Sequence, residues 1–302
     1  MKILIAGATG FIGKELIKKL DEKGHEIIAL TRNRETARFH IPIHCEIQQW
    51  DPDNNPLSTN SLKDIDAVIN LSGENIASSF WTDTQKRKLM DSRIISVRRI
   101  VQAMEAMNTK PKLFISASAV GFYGNRENEE LQETSSAGEG FLSKVCQSWE
   151  SEITESKKLG IRTVIFRLGM VLGHDGGALE KIMPAFKLGL GGKLGDGSQW
   201  MSWIHRNDLC ALITQALVDK KYSGVFNAVA PNPVLMRDFS QTLGKCLNRP
   251  NLLPVPGAVL KILLGDGAKV VLEGQKVISI KLKNYNFKYP LLEKAIYAST
   301  KN

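Results

Sequence analysis

The stretch Lys2-Ile-Leu-Ile-Ala-Gly-Ala-Thr-Gly-Phe-Ile-Gly13 decides the fold. Its first five residues form a short, β-rich apolar run that stops at a glycine. From Phe11 to Lys23 the apolar residues Phe11, Ile12, Leu16, Ile17 and Leu20 recur at helical spacing, and Gly24 ends that helix. The spacing GxxGxxG therefore stands directly between a buried strand and a helix. Glycines there allow a tight turn, close approach of backbone to a pyrophosphate, and close packing of helix on sheet. The helix N-terminus then presents free N–H groups and a positive dipole end to phosphate. Gly7, Thr9, Gly10, Phe11, Ile12 and Gly13 are the resulting candidates for dinucleotide binding.

Outward from this loop, strand and helix alternate. HEIIALT at 25–31 is the second strand, a weaker strand lies near 45–49, and AVINL at 67–71 follows. A long amphipathic helix at 84–107 leads to KLFISA at 112–117; a helix at 141–158 leads to RTVIFRL at 162–168. The strands show little internal alternation of polarity, as parallel strands covered on both faces do. The expected class is α/β, a Rossmann-type doubly wound parallel sheet. After Leu172 the texture changes: eight glycines fall between Gly173 and Gly197, and LGLGGKLGDG reads as a flexible loop. A helix at 207–219, a strand at 224–230, and helices at 235–247 and 257–264 complete the reading. The expected organisation is a core of residues 1–172 completed by 205–230, with a smaller substrate-side lobe of 173–204 and 231–302. Ligands of such folds sit at the carboxyl ends of the strands, here facing the lobe.

The 302 residues are 43% hydrophobic and 24% charged, which excludes a disordered chain or a disulfide mini-protein. No apolar run approaches the roughly 18 residues of a membrane span, so no membrane partner is expected. The apolar start is broken by glycines and no secretory cleavage pattern follows. Cys45, Cys146, Cys210 and Cys246 lie far apart, without metal spacing; free thiols in a cytoplasmic protein, and no metal site, are the expectation. The net charge of +9 is spread along the chain and interleaved with acids, so nucleic acid is not an expected partner. Anionic cofactor or substrate phosphates account for part of the excess.

The second strand ends Leu30-Thr31-Arg32-Asn33-Arg34, without the acid that accepts ribose hydroxyls in NAD sites. A carboxylate there would repel a 2′-phosphate, whereas Arg32 binds one through a charge-assisted fork. Thr31 and Asn33 add neutral donors. NADP(H) is the expected cofactor.

Seven motifs in order carry a resemblance: GATGFIG at 7–13, NLSGEN at 70–75, SASAVGFYG at 116–124, RLGMVLG at 167–173, WIHRNDL at 203–209, FNAVAPNPV at 226–234 and VLEGQKV at 271–277. The chain resembles the atypical extended short-chain dehydrogenase/reductases of the nucleoside-diphosphate-sugar epimerase family. The resemblance implies an NADP-binding Rossmann core, a small C-terminal domain, and epimerase or oxidoreductase chemistry by hydride transfer on a small molecule such as a nucleotide sugar. It implies that Leu71, Ser72 and Gly73 line the cofactor, with Arg93 and Val171 as further contacts.

In the same superfamily a Ser or Thr orients substrate, and the Tyr of YxxxK moves the proton while its Lys holds ribose and lowers the phenol pKa. Ser118 matches the serine, with Ser116 the near alternative. The tyrosine position fails: Gly140 stands four residues before Lys144, and a shift by one pairs Phe141 with Val145. Lys144 remains a ribose-binding candidate and Tyr123 a substitute phenol; His205 is a second proton donor, or else shapes the floor between the lobes, with Asp208 anchoring the next helix. Cys146 has no paired base in view. Lys187, Lys193 and Arg206 are candidates to meet a substrate diphosphate. Two functions stay open, an NADP(H)-dependent epimerase-like oxidoreductase and a non-catalytic NADP(H)-binding or redox-sensing protein. The resemblance implies a homodimer interface on the helices at 84–107 and 141–158, against which stand the charges of Lys86 to Lys88 and Lys157-Lys158, and a monomer is also compatible.

Overall fold

The apolar runs become the strands of one parallel sheet in the computed structural model, which describes residues 1–42, 44–76 and 80–300. The first half runs β1 (Lys2–Ala6), α1 (Phe11–Asp21), β2 (Glu26–Thr31), the one-turn α2 (Arg34–Ala37), β3 (Glu46–Gln49), β4 (Ala67–Asn70), α3 (Asp83–Glu105), β5 (Leu113–Ala119), β6 (Glu130–Leu131), α4 (Phe141–Lys158) and β7 (Arg162–Leu168). The second half runs β8 (Met170–Leu172), α5 (Gly177–Lys187), β9 (Trp200–Met201), β10 (Trp203–His205), α6 (Arg206–Val218), β11 (Gly224–Ala228), β12 (Val234–Leu235), α7 (Met236–Cys246), α8 (Gly257–Leu264), α9 (Lys269–Leu272), β13 (Lys276–Val277) and α10 (Leu292–Thr300).

Seven strands pair in the order β11-β7-β5-β4-β1-β2-β3, all parallel. Strand order reverses at β1, so the glycine loop leaves the sheet at its switch point. The two-residue period of β1 divides the core. Ile3 and Ile5 face Leu16, Ile17 and Leu20 of α1 with Leu209, Leu212 and Ile213 of α6. Leu4 and Ala6 share the opposite face with Val97, Ile100 and Met104 of α3 and Trp149 and Ile153 of α4. Each fully buried leucine, isoleucine, valine or methionine among them contributes about 1.5–3 kcal/mol relative to exposure.

A separate apolar cluster joins Leu179 and Phe186 of α5, Phe239 and Leu243 of α7, and Ala295 and Ile296 of α10 around Trp203. The chain returns between these pieces to add α6 and β11 to the sheet layer. One helix lies outside the sequence expectations. Within the glycine-rich segment 173–197, α5 occupies Gly177–Lys187, ahead of the stretch 188–197 expected as a loop. Its Leu179 and Phe186 bury against the lobe, and that packing overrides the flanking glycines and an internal Pro184.

Two glycines of the first loop are sterically obligatory. A Cβ on Gly7, at φ +79°, would lie 2.6 Å from the Leu71 carbonyl carbon, and one on Gly13 would lie 2.3 Å from the Gly7 oxygen. Gly24 also has positive φ, but a Cβ there meets nothing. Gly13→Ala is therefore expected to destabilise by about 1–3 kcal/mol through backbone displacement, against about 1 kcal/mol for Gly24→Ala from conformation alone. Urea unfolding of the two variants checks the ranking, and equal effects would contradict the packing argument.

Candidate functional site

The first wall is the loop itself. Gly10 donates its N–H to the Gly7 carbonyl at 3.1 Å and becomes the N-cap of α1. It has no side chain to cap the helix, and the first turn holds no acid. The end N–H groups and the positive end of the dipole are therefore left without a side-chain or acidic partner from this turn. Phe11 faces the other way and is gripped. Ring atoms lie 2.9, 2.4 and 3.0 Å from where a Cβ would stand on Gly173, Gly176 and Gly177. The Arg206 guanidinium sits 4.5 Å from the ring centroid, and its Nη1 donates to the Phe11 carbonyl at 3.4 Å. Val171, on β8, packs on the α1–α6 side of the core rather than standing free.

The second wall starts at the end of β4. Asn70 is fully buried, and its amide donates to Ser116 Oγ at 3.3 Å, its register partner on β5. Asn70 Oδ1 accepts the Ser72 N–H at 3.2 Å and the Ser72 hydroxyl, which also lies 3.0 Å from Ser96 Oγ on α3. Leu71-Ser72-Gly73 is thereby laid over Gly7. Arg93 donates to the Leu89 and Glu74 carbonyls at 2.8 and 3.0 Å, and its Cζ would lie 3.3 Å from a Cβ on Gly73. Burial pulls the Arg93 pKa below its ordinary value. Its guanidinium ties the Gly73–Glu74 turn to α3, so it supports the wall from beneath.

The third edge is the end of β2, parallel to β1 with Leu30 beside Ala6. Thr31 Oγ1 accepts the Asn33 N–H at 3.3 Å. Asn33 Oδ1 accepts from the Glu35 and Thr36 N–H groups at 3.0 and 3.1 Å, so this side chain caps α2 and is not a loose donor. Arg32 between them is exposed.

The catalytic candidates are arranged differently from the expectation. Ser118 on β5, Arg167 on β7 and Asn227 on β11 are register partners in one row across three strands. Ser118 Oγ donates to Glu150 Oε1 at 2.6 Å. Glu150, from α4, accepts Arg167 Nε and Nη2 at 2.8 and 2.7 Å. Arg167 Nη1 donates to the Tyr123 hydroxyl at 2.9 Å, and that hydroxyl donates to Asn227 Oδ1 at 2.7 Å. Asn227 Nδ2 continues to the Ile278 carbonyl at 2.8 Å.

Ser118 is 1% and Tyr123 0% exposed. Burial pushes the Tyr123 pKa up, with Arg167 partly opposing it. Tyr123 thus corrects the idea of a substitute phenol: its proton and its acceptor lone pair are both committed inside the core. Glu150 and Arg167 were missed by sequence reading, although an arginine inside the apolar run RTVIFRL signals a buried partner.

Lys144 lies exposed in the first turn of α4. Gly140 caps that helix at φ +93°, and a Cβ there meets no atom within 4 Å. The superfamily's tyrosine position is open space on a backbone that L-residues rarely adopt. Cys146 is buried, its thiol pushed up to about 12 chiefly by desolvation, which makes it inert.

His205 is buried too, and desolvation, helped by Arg206, lowers its pKa to about 4. Its Nδ1 accepts the Asn207 N–H at 3.1 Å to cap α6, and its ring lies 4.0 Å from Tyr289. The Asp208 carboxylate accepts the Lys288 and Tyr289 N–H groups at 2.8 and 3.0 Å. This segment fastens the C-terminal tail to the core. Arg206 points to Glu15 and Asp175, at 3.7 and 3.4 Å, and to the Phe11 ring, so it is corrected from substrate contact to loop support. Lys187 and Lys193 are exposed on the lobe. A cavity of about 730 Å³ lined by Tyr222, Phe226, Lys281 and Tyr285 opens at the amino end of β11, away from the carboxyl ends of the strands.

A parallel seven-stranded sheet with a glycine-turned loop at its switch point defines the Rossmann class of α/β proteins. The description "NAD dependent epimerase/dehydratase family" matches residues 3–228, and a domain of unknown function, DUF1731, matches residues 255–298. The chain belongs to the NAD dependent epimerase/dehydratase family. It is 39% identical over 309 residues to the chloroplastic epimerase family protein SDR39U1 homolog of Arabidopsis thaliana, covering 99% of this chain and 86% of that one. The crystal structure of human epimerase family protein SDR39U1 (isoform 2) with NADPH is similar at TM-score 0.88 and 32% identity, covering 100% of both chains. UDP-glucuronic acid 4-epimerase from Bacillus cereus, in complex with UDP-glucuronic acid and NAD, shares the fold at TM-score 0.79 and 20% identity, with 99% and 98% covered.

Two outcomes follow from the buried groups. Glu150→Gln leaves the Arg167 cation without its counter-charge and is expected to cost about 3–5 kcal/mol, most of it recovered in Glu150→Leu/Arg167→Met. Chemical denaturation of the three proteins measures this, and a harmless Glu150→Gln would contradict it. His205 stays neutral in the folded protein down to about pH 4, while the unfolded chain protonates below 6.5. The unfolded state then binds more protons, so stability falls as pH drops through this window. Between pH 7 and 5 the protein is expected to lose about 2 kcal/mol more than His205→Asn, which keeps a capping acceptor. Parallel losses in both proteins would refute the assignment.

Proposed function

We propose that this protein binds NADP(H) from the Gly7–Gly13 loop to Arg32 and acts as an epimerase-type oxidoreductase on a small molecule of the nucleotide-sugar class. One observation carries the reading. The uncapped, acid-free N-terminus of α1 opens toward the same edge of the sheet as an exposed Arg32 at the end of β2, where an NAD site has a carboxylate. Pyrophosphate suits the first and a 2′-phosphate the second. Backbone packing accounts for the three glycines, and the fit to an anionic group rests on the α1 N-terminus, which Gly10 leaves without a side-chain cap and whose first turn holds no acid. The NADPH in the human relative supports the same choice.

When bound, the cofactor supplies a hydride donor or acceptor. The chain's own part is to hold the phosphates on α1 and Arg32 and to back the ribose side with Leu71-Ser72-Gly73, itself fixed by Asn70 and Arg93. Of the three catalytic candidates only Lys144 is exposed; Ser118 and Tyr123 brace the core around Glu150 and Arg167.

A second reading, an NADP(H)-binding protein without turnover, is favoured by one specific feature. Gly140 stands where the proton-transferring tyrosine belongs. Calorimetric titration with NADPH and NADH tests the cofactor: NADPH is expected to bind more tightly, and Arg32→Ala to lose about 10- to 100-fold of that preference. Equal affinities would overturn the NADP(H) assignment. Mixing the NADPH complex with 4-keto UDP-sugars, and the NADP+ complex with UDP-sugars, separates the two readings. Cofactor oxidation or reduction supports the enzyme; tight binding with none supports the second reading.

A further inference from the structure

Two of the acid-free basic stretches of this chain meet in the fold. Residues 181–195 hold Lys181, Lys187 and Lys193, and residues 239–265 hold Lys245, Arg249 and Lys261. Together they supply six positive charges in a chain whose net charge is +9. The basic excess is therefore not interleaved evenly with acids, as a pass along the sequence suggests. The fold lays the two stretches side by side. Leu253 donates its N–H to the Gly191 carbonyl at 3.2 Å, Val255 to the Lys193 carbonyl at 2.9 Å, and Gly195 to the Val255 carbonyl at 2.9 Å. All six cations are exposed.

The same surface is apolar. Helix α8 reads Gly-Ala-Val-Leu-Lys-Ile-Leu-Leu, and a helix apolar nearly all round belongs in a core. Here only Leu260 is buried, while Ile262 and Leu263 are 78% and 65% exposed. Leu252 and Leu253 precede it at 79% and 50%, and Leu188 and Leu190 stand exposed on the adjoining stretch. Isolated exposed leucines need no explanation, but six on adjoining segments form a face that something covers.

Charge selects the cover. A second copy docked symmetrically on this face would set six cations against six. An anionic bilayer complements both features, since apolar side chains enter the headgroup–acyl boundary while lysines meet the lipid phosphates. We propose that this face of the lobe docks on an anionic lipid surface, with α8 lying in the interface. No helix among the described residues is long and apolar enough to cross a membrane, so the contact is peripheral. The inference is independent of the cofactor assignment.

The test is sedimentation of the whole chain with unilamellar vesicles of phosphatidylcholine alone or mixed with phosphatidylglycerol. Binding is expected on the mixed vesicles, weak on neutral ones, and reduced by salt. Ile262→Glu, and separately Leu252→Glu, are expected to lower vesicle affinity about tenfold or more, as is the pair Lys187→Glu/Arg249→Glu. These side chains are exposed, and an unchanged circular dichroism spectrum with an unchanged urea-unfolding midpoint confirms folding; should one variant misfold, the others carry the test. Absence of binding to phosphatidylglycerol vesicles, or variants that bind as the parent does, would overturn the proposal. So would a self-association by ultracentrifugation that Ile262→Glu abolishes while vesicles stay bare, which would make the face an interface between copies.

Discussion

The site depends on a backbone-to-backbone contact at the centre of the sheet. Gly7 turns directly beneath the Leu71–Ser72 peptide, closer than any side chain permits, and Gly13 presses equally closely on Gly7. Because β1 and β4 are neighbours in register, the loops that follow them leave the sheet at the same height. Only missing Cβ atoms let both loops occupy that space. The positive end of α1 is consequently brought to the sheet surface, where it meets the edge of the β4 loop. Asn70, Ser72 and Arg93 extend this constraint into α3, so the loop geometry is held from both sides.

A second constraint lies two strands away. Glu150 and Arg167 form a buried bidentate pair at the carboxyl end of β7. A buried charge pair needs every remaining donor satisfied. Tyr123 accepts from Arg167 and Ser118 donates to Glu150, while Asn227 accepts the Tyr123 hydroxyl and carries the row to the backbone of the C-terminal segment at Ile278. Residues that look catalytic by position are therefore structural by hydrogen bonding. Gly140 and the neighbouring Lys144 leave an open approach at the start of α4, where a tyrosine would otherwise project.

The lobe presents the opposite economy of charge. The cations of residues 181–195 and 239–265 are exposed rather than buried, on segments that also carry apolar side chains the fold leaves uncovered. The core cluster of the lobe uses Phe186, Phe239, Leu243 and Ile296, so the exposed leucines are additional to what folding requires. The two proposals thus assign an anionic small molecule to one surface and a larger anionic boundary to another.

The sequence by itself determined the alternation of strands and helices, the GxxGxxG turn after the first strand, the absence of an acid after the second, and the lost tyrosine. These are local facts, set by hydrophobic period, glycine conformation and residue identity within a few positions. Only the tertiary structure decided the rest. Helix α5 forms within a glycine-rich stretch because Leu179 and Phe186 find a distant cluster to bury against. Tyr123 is withdrawn from chemistry because Arg167 and Asn227, 44 and 104 residues along the chain, meet its hydroxyl. Arg206 grips Phe11 from 195 residues away. Such roles follow from burial and partners that chain separation hides, whereas the glycine turn carries its reason in its own backbone.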